Sequence, residues 1–326
     1  MNRKMVEQET REVTPADFAR SFGTTAAEIE KYCGELISRS NFRYRVLAGE
    51  ERDRVILNVL KKLDTDRQVI GSPERQAAWE SGWKENLDDF KQHGYDLNKL
   101  VPRFIRPDQP IRLNQDYIMP ENPNFELNYF SVLRLWLARK YFGSVGAIYE
   151  FGCGTGMNLA ALAAIYPQKK LYGLDFVPSS VEMVNKLGEV YKWNITGHLF
   201  DMIHPDERFE IAANSAVLTI GALEQLASRF EPFLRYLLQR SPAICVNVEP
   251  TVELYYEENL IDSLAARFHR KRGYTTGLLP HLQELESRGA IELLKVKRTF
   301  FGSLYMEGYV CMVWRPKRSA GVESRS

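Results

Sequence analysis

Residues 150–156 read Glu-Phe-Gly-Cys-Gly-Thr-Gly, and this stretch decides the fold. It follows the apolar residues 147–149 and precedes a helical segment over residues 158–165. Glycines let the backbone pass close to a ligand, and the start of the next helix offers free N–H groups. The stretch therefore predicts a strand, a ligand-binding loop and a helix. Its spacing, G-x-G-x-G, differs from the G-x-G-x-x-G/A pattern of dinucleotide-binding enzymes.

Acidic residues end the next two predicted strands. Asp175 closes the apolar run 171–175, and Asp201 closes the run 198–201. A carboxylate in the first position can accept hydrogen bonds from both hydroxyls of a ribose, each worth ~1.5–3 kcal/mol. The alternative is that both acids are ordinary turn residues after strands. Together with the glycine loop, the two acids indicate a nucleoside-containing cofactor.

The glycine loop, the glutamate two residues ahead of it and the two acids resemble the motifs of class I (Rossmann-like) S-adenosylmethionine-dependent methyltransferases. The resemblance implies that S-adenosyl-L-methionine is the cofactor and that Asp201 would hold the adenine amino group. Phe176 and Met202 would then enclose the adenine ring. The cofactor-binding residues expected from the resemblance are Glu150, Gly152, Cys153, Gly154, Gly156, Asn158, Asp175, Phe176, Ser180, Asp201, Met202 and Thr219.

The second half of the chain has the alternation of strand and helix patterns that is typical of an α/β fold. From residue 147 onward, short apolar runs alternate with helical segments, which indicates strands buried on both faces of a mostly parallel sheet. Two strand candidates close the chain and predict an antiparallel hairpin at one side of the sheet. We therefore predict a Rossmann-like methyltransferase sheet of seven strands, and the resemblance implies the strand order 3-2-1-4-5-7-6.

The first half predicts a separate helical lobe. A capping-box pattern begins at Thr25, and Ser72 followed by proline indicates a second helix start. Residues 101–123 hold five prolines and predict an extended connector. We expect Tyr117, Asn128 and Tyr129 to lie near the cofactor. The predicted divisions are a helical N-terminal cap or substrate lobe over 1–123, the S-adenosylmethionine-binding domain over 124–315 and a flexible tail over 316–326.

Composition and local motifs limit the binding partners and the cellular compartment that we expect. The 43 basic and 42 acidic residues give a net charge of +1, without the basic excess of a general nucleic-acid binder. Residues 214–217 lack the DPPY or NPPY turn of methyltransferases that act on nucleic-acid bases. The four cysteines are far apart, and the N-terminus lacks an apolar signal segment. We expect a cytoplasmic protein that acts on a small molecule, without nucleic-acid or membrane partners, with a homodimer left open.

Residues 219–225, Thr-Ile-Gly-Ala-Leu-Glu-Gln, follow the fourth predicted strand. They resemble the "SALEQ" segment of bacterial sugar and small-molecule O-methyltransferases, although the histidine usual in that segment is absent. The resemblance implies methyl transfer to a hydroxyl of a sugar or natural product. The alternatives are N- or carboxyl-methyl transfer to a small molecule or protein, and a non-catalytic cofactor-binding module.

Three residues are candidates for a general base, because each falls after a strand or in the chain segment that follows the fifth strand. They are Glu224, Glu249 and His269. An imidazole titrates near neutral pH, which favours His269 on chemical grounds. The cations at 270–272 either end a helix in the ordinary way or clamp an acidic acceptor. No compact cluster of metal ligands is evident, so we expect no metal.

Overall fold

A computed structural model of the protein describes residues 9–70 and 72–317. The strands are β1 (Thr10–Glu12), β2 (Arg43–Val46), β3 (Ile111–Leu113), β4 (Asp116–Pro120), β5 (Ala147–Phe151), β6 (Lys170–Asp175), β7 (Ile195–Leu199), β8 (Ser215–Ile220), β9 (Ile244–Glu249), β10 (Ile291–Arg298), β11 (Phe301–Gly302) and β12 (Val310–Pro316). The α-helices are α1 (Pro15–Phe22), α2 (Ala26–Ser38), α3 (Gly49–Thr65), α4 (Pro73–Gln92), α5 (Phe125–Tyr141), α6 (Met157–Ile165), α7 (Pro178–Tyr191), α8 (Glu231–Arg240), α9 (Leu260–Arg272) and α10 (Leu278–Ser287).

Seven strands form the large sheet in the order β10-β12-β9-β8-β5-β6-β7. Strands β5 to β9 are parallel, and β12 runs antiparallel to both of its neighbours. Counted from β5 as the first strand, this is the order 3-2-1-4-5-7-6 with an antiparallel final hairpin. The predicted α/β, Rossmann-like methyltransferase fold is therefore confirmed.

Helices cover both faces of the large sheet, as buried parallel strands require. Ile148 of β5 packs into the core formed with α5, α6 and α7. Its neighbours Tyr149 and Phe151 point to the opposite face and pack with α8 and α10. This alternation also directs Glu150 toward the face that carries α5 and α6. The carboxyl ends of the parallel strands meet at one edge of the sheet, where the candidate site lies.

The N-terminal region carries the predicted helices α1 to α4, but it also forms a second sheet that the sequence analysis did not predict. Its order is β1-β2-β4-β3-β11. The expected connector over 101–123 contains the hairpin β3–β4, whose two-residue turn places Asn114 and Gln115 at φ +52 and φ +63. Positive φ at both positions gives the turn the twist that hairpins favour. The prolines did not prevent pairing because Pro110 precedes β3 and Pro120 ends β4.

The small sheet also joins distant parts of the chain. Phe301 of β11 pairs with Leu113 of β3, so a segment of the predicted cofactor domain completes the N-terminal sheet. The helix starts at Thr25 and Ser72 are confirmed, since each side chain accepts a hydrogen bond from a backbone N–H of the first turn. Residues 318–326 of the predicted tail lie outside the described residues, and Pro316 ends β12. Over the described ranges, the helices include none both long and apolar enough to cross a membrane.

Candidate cofactor and acceptor site

The glycine loop is bound tightly to the end of the neighbouring strand. The N–H groups of Gly152 and Cys153 both donate to the carbonyl oxygen of Leu174, at 2.7 and 3.2 Å. Gly152, Gly154 and Gly156 have φ angles of +71, +53 and +77, which other residues adopt only at a cost. The loop therefore needs its glycines for backbone conformation, as the sequence predicted.

Asp175 lies under the same loop at the end of β6. Its Oδ2 accepts the N–H of Gly154 at 2.9 Å, and its Oδ1 accepts the N–H of Val177 at 3.0 Å. Burial raises the pKa of Asp175 to about 6, although the backbone hydrogen bonds oppose this rise. The N–H of Phe176 and the hydroxyl of Ser180 also lower the pKa of Asp175 by hydrogen bonding. Ser180, in the first turn of α7, is fully buried nearby.

The expected adenine-binding residues follow β6 and β7, and among them Met202 approaches the glycine loop. Phe176 directly follows Asp175, and 54% of its side chain is exposed, which is unusual for an aromatic residue beside a buried loop. The methyl carbon Cε of Met202 would lie 3.7 Å from a Cβ placed on Gly152. Asp201 is exposed, and its Oδ1 accepts the N–H of Ile203 at 2.8 Å. The Oδ2 of Asp201 lies 2.9 Å from His204 Nδ1, so each oxygen of this carboxylate has one partner.

Glu150 belongs to a buried polar chain behind the loop. Asn158 Nδ2 donates to Glu150 Oε1 at 2.7 Å, and Arg134 Nη1 donates to Asn158 Oδ1 at 3.1 Å. Burial raises the pKa of Glu150 to about 8, against the lowering effects of Asn158 and Arg134. Its Oε2 is buried without a hydrogen-bond partner among the described residues. This free acceptor atom suits a donor group on a bound ligand.

Glu249 ends β9 and holds the turn that follows β8. Its Oε1 accepts the N–H of Ala222 and its Oε2 the N–H of Glu224, both at 3.2 Å. Thr219 also donates to this carboxyl, and Thr219 itself accepts Asn247 Nδ2 at 2.9 Å. Burial raises the pKa of Glu249 to about 7 in spite of these bonds. A buried carboxyl with a pKa near neutrality is a suitable general base.

Glu224 lies in that same turn, within the 3-10 segment Leu223–Leu226. Its Oε1 accepts Gln225 Nε2 at 2.5 Å. Burial first and the charge of Glu249 second raise the pKa of Glu224 to about 8. The two glutamates are therefore electrostatically coupled, and they titrate as a pair.

His269, the third candidate base, is in a different position from the two glutamates. It lies near the end of α9, fully buried, and its Nε2 donates to the carbonyl of Thr275 at 2.8 Å. The N–H of Thr275 in turn donates to the carbonyl of Glu224 at 3.0 Å. His269 thus supports the acceptor-side turn from behind. Its role as a general base stays a prediction.

Helix α4 contributes two site residues that the sequence did not assign. The indole of Trp83 lies against the glycine loop, since a Cβ on Gly154 would be 3.0 Å from its Cζ2. Trp83 stacks on Trp79 with ring centroids 5.2 Å apart. Arg75, one turn before Trp79, donates to Gln225 Oε1 at 2.7 Å. Trp83 belongs to the main hydrophobic core together with Leu87 and Phe90, and it also meets the cofactor loop.

The expected positions of Tyr117 and Tyr129 near the cofactor are wrong. Tyr117 packs with α3 and α9 and accepts a hydrogen bond from Arg112. Tyr129 donates to Ser21 and stacks on Phe301 at 3.7 Å between ring centroids. Tyr129 lies on the face of α5 that packs into the hydrophobic core, and the side chain of Tyr117, on β4, also packs into the core. The opposite face of α5 carries the residues directed to the site.

The donor set around the loop fits S-adenosylmethionine. Glu150 Oε2 is a free acceptor for an ammonium group, and Asp175 ends β6 directly under the loop, where its Oδ2 accepts the N–H of Gly154. A Cβ on Gly152 would stand 2.4 Å from the Cβ of Ala222, so the loop closes directly on the turn held by Glu249. Cofactor-binding and acceptor-side residues therefore meet. Within the described ranges, His, Cys, Asp and Glu form no group of three or more suited to a metal ion.

Residues 149–237 match the protein family described as "Methyltransferase domain". The match runs from β5 into α8 and includes the glycine loop and both strand-ending acids. Together with the strand order, it supports a class I methyltransferase domain in this chain. The comparison with curated protein sequences gives no significant match.

Solved structures that resemble the protein include several methyltransferases. An rRNA methylase from Escherichia coli is 10% identical, with 93% of this chain and 100% of that chain covered and a TM-score of 0.43. The N,N-8-amino-8-demethyl-D-riboflavin dimethyltransferase from Streptomyces davawensis is 11% identical, with 94% and 90% covered and a TM-score of 0.41. Magnesium protoporphyrin IX methyltransferase from Synechocystis is 12% identical, with 57% and 76% covered and a TM-score of 0.39. We base no inference about the acceptor on scores this low.

Proposed function

We propose that the protein transfers a methyl group from S-adenosylmethionine to a hydroxyl of a small molecule, a sugar or a natural product. The observation that carries the proposal is the direct contact between the glycine loop and the turn at Ala222, whose N–H is held by Glu249. This contact brings a cofactor loop and a buried carboxyl of raised pKa to one edge of the sheet. The match of residues 149–237 to a methyltransferase domain supports the same activity.

Residues on two sides of the loop would bind different parts of the cofactor. Asp175 would accept the ribose hydroxyls, and Asp201 the adenine amino group, with Phe176 and Met202 covering the ring. Glu150 would accept the ammonium group through its free Oε2. When bound, S-adenosylmethionine supplies an electrophilic methyl group on a positively charged sulfur. Burial of Glu150 and Asp175 would strengthen the attraction of their ionised forms to a cationic ligand, because the surrounding dielectric is low.

Glu249 is our candidate for the group that removes the proton from the acceptor hydroxyl. An aliphatic hydroxyl has a pKa far above neutrality, so proton removal by a positioned base assists its attack on the methyl carbon. Glu249 is held by hydrogen bonds from Thr219 of β8 and from Ala222 and Glu224 of the turn after β8, and its raised pKa makes it a stronger base than an exposed glutamate. Glu224 would keep the pair partly protonated by charge repulsion. Alignment of the reacting atoms supplies the rest of the acceleration.

The proposal is tested first by donor binding and then by transfer. Calorimetry with S-adenosylmethionine should show binding to the wild type, and Asp175→Asn should weaken it by about 10- to 100-fold, because a charge-assisted acceptor is lost. Asp206→Asn is the matched control, since Asp206 is exposed and remote from the loop. Transfer of labelled methyl groups to a panel of hydroxylated compounds then identifies the acceptor class.

The outcomes separate the proposal from its rivals. Absence of donor binding would overturn it. Binding without transfer to any hydroxyl, amine or carboxyl acceptor would favour a non-catalytic binding module. Label found on nitrogen or on a carboxylate would retain methyl transfer and replace the acceptor.

A further inference from the structure

Glu126 is a buried carboxyl that has no part in the cofactor site described above. It lies in the first turn of α5, and only 5% of its surface is exposed. Its Oε2 has no hydrogen-bond partner among the described residues. Burial alone raises the pKa of this carboxyl to about 7. A buried polar atom without a partner is costly, so its presence calls for a ligand or another explanation.

The periodicity of α5 shows where Glu126 points. Glu126, Phe130 and Arg134 are spaced four residues apart and share one face of the helix. Arg134 reaches Asn158 at the start of α6, and Phe130 stacks on Tyr309 with ring centroids 5.3 Å apart. Glu126 lies about 12 Å along the helix axis from Arg134, at ~1.5 Å per residue. This face therefore extends from the cofactor loop past the edge of the large sheet.

Strand register places Tyr309 beside the acceptor edge. Val310, the next residue, pairs with Glu249 in the antiparallel ladder of β12 and β9. Tyr309 thus stands one residue beyond Glu249, on the side where β8 and β9 end. Its phenol interacts electrostatically with both Glu126 and Glu224. The stack of Phe130 on Tyr309 therefore connects this face of α5 with the end of β9 that carries Glu249.

We propose that Glu126 binds a protonated amino group of the methyl acceptor, so that the substrate is an amine-bearing hydroxy compound. The inference rests on the proposed function, because it assigns a recognition role at the acceptor side of the same site. The Oε2 atom of Glu126 lacks a hydrogen-bond donor and a positively charged partner, and an ammonium group would supply both. Glu126, Glu224 and Glu249 are all buried carboxyls, and a nearby cationic amine would favour their ionised forms.

The test is a binding experiment that does not require the natural acceptor. The full-length protein, saturated with S-adenosylhomocysteine, is titrated near neutral pH with two matched pairs of probes. The pairs are ethanolamine with ethylene glycol and glucosamine with glucose, which differ by an ammonium group in place of a hydroxyl. We expect at least one amine to bind the wild type about 10- to 100-fold more tightly than its neutral partner. In Glu126→Gln that ratio should fall to about one.

Two controls accompany this comparison. Glu231→Gln makes the same substitution in the first turn of another helix at an exposed position, and it should leave the amine preference unchanged. Affinity for S-adenosylhomocysteine should change less than about twofold in Glu126→Gln, because Glu126 is assigned to the acceptor. If Glu126→Gln does not fold, Glu126→Asp keeps the charge, withdraws it by one methylene group and should weaken amine binding.

Each remaining outcome decides against the proposal. It is overturned if no amine binds better than its neutral partner, or if the preference survives in Glu126→Gln. It is equally overturned if Glu126→Gln loses S-adenosylhomocysteine instead, since the carboxyl would then serve the cofactor. Failure of this inference leaves cofactor binding by the wild type intact, whereas a wild type that binds no S-adenosylmethionine would remove the proposed function itself.

Discussion

Gly152 and Ala222 are in direct contact: a Cβ on Gly152 would stand 2.4 Å from the Cβ of Ala222. Gly152 belongs to the cofactor loop after β5, and Ala222 to the turn after β8. The N–H of Ala222 is held by Glu249, so this contact connects the cofactor loop with the candidate base. Any added volume at residue 152 must displace one side or the other.

Gly152→Ala should weaken binding of S-adenosylmethionine by about 10- to 100-fold. Backbone strain at positive φ costs ~1–3 kcal/mol, and the clash with Ala222 adds to it. Gly289→Ala is the matched control, since φ is +73 there and nothing lies within 4 Å of the added Cβ. Gly152→Ala combined with Ala222→Gly should recover part of the affinity. Calorimetry of the four proteins would contradict the steric account if the double variant binds no better than Gly152→Ala.

The rate of methyl transfer should rise with pH through an apparent pKa between about 7 and 8, the range of Glu249 and Glu224. The sign follows from chemistry, because only the ionised carboxylate accepts a proton. Glu249→Gln should lower kcat by about 100-fold or more and remove the rise, while donor affinity stays near that of the wild type. A pH profile of kcat for both proteins provides the measurement. Turnover of Glu249→Gln close to the wild-type rate would exclude Glu249 as the base.

His269→Ala should reduce stability more than turnover. The variant loses a buried ring and the hydrogen bond to Thr275, which together cost ~2–5 kcal/mol of unfolding free energy. Burial lowers the pKa of His269 below its ordinary value near 6.5, so the unfolded chain takes up a proton first as pH falls. The free energy of unfolding of the wild type should therefore decline below about pH 6.5. In His269→Ala, the part of this decline that comes from His269 should be absent. Denaturant melts at several pH values test this; unchanged stability with lost turnover would restore His269 as the base.

Trp83→Phe should weaken donor binding by about 2- to 10-fold, because part of the aromatic surface against Gly154 is lost. Phenylalanine keeps an aromatic ring beside Trp79, so the helix should stay folded. Trp193→Phe is the control, since Trp193 stacks on Tyr191 rather than on the glycine loop. Donor titrations of the two variants should differ. Equal affinities would mean that α4 covers the loop without contributing to the cofactor site.

Local sequence was sufficient for the large sheet and for most of the cofactor loop. Buried parallel strands need apolar runs, helix starts need side-chain caps, and positive φ angles need glycine, so each of these features is encoded within a few residues. The seven strands, the helix starts at Thr25 and Ser72, and the position of Asp175 under Gly154 follow from such local requirements.

Tertiary structure alone decided which distant residues share the site. The pairing of Phe301 with Leu113, the contact of Trp83 with Gly154 and the burial of Glu126 all depend on how separate elements pack. The side chains around α5 are apolar on several faces, so its pattern did not show which face meets the core and which meets the site. His269 has suitable chemistry in the sequence, but packing against Thr275 buries it. The free energy of such contacts is set by partners far along the chain, which no local pattern records.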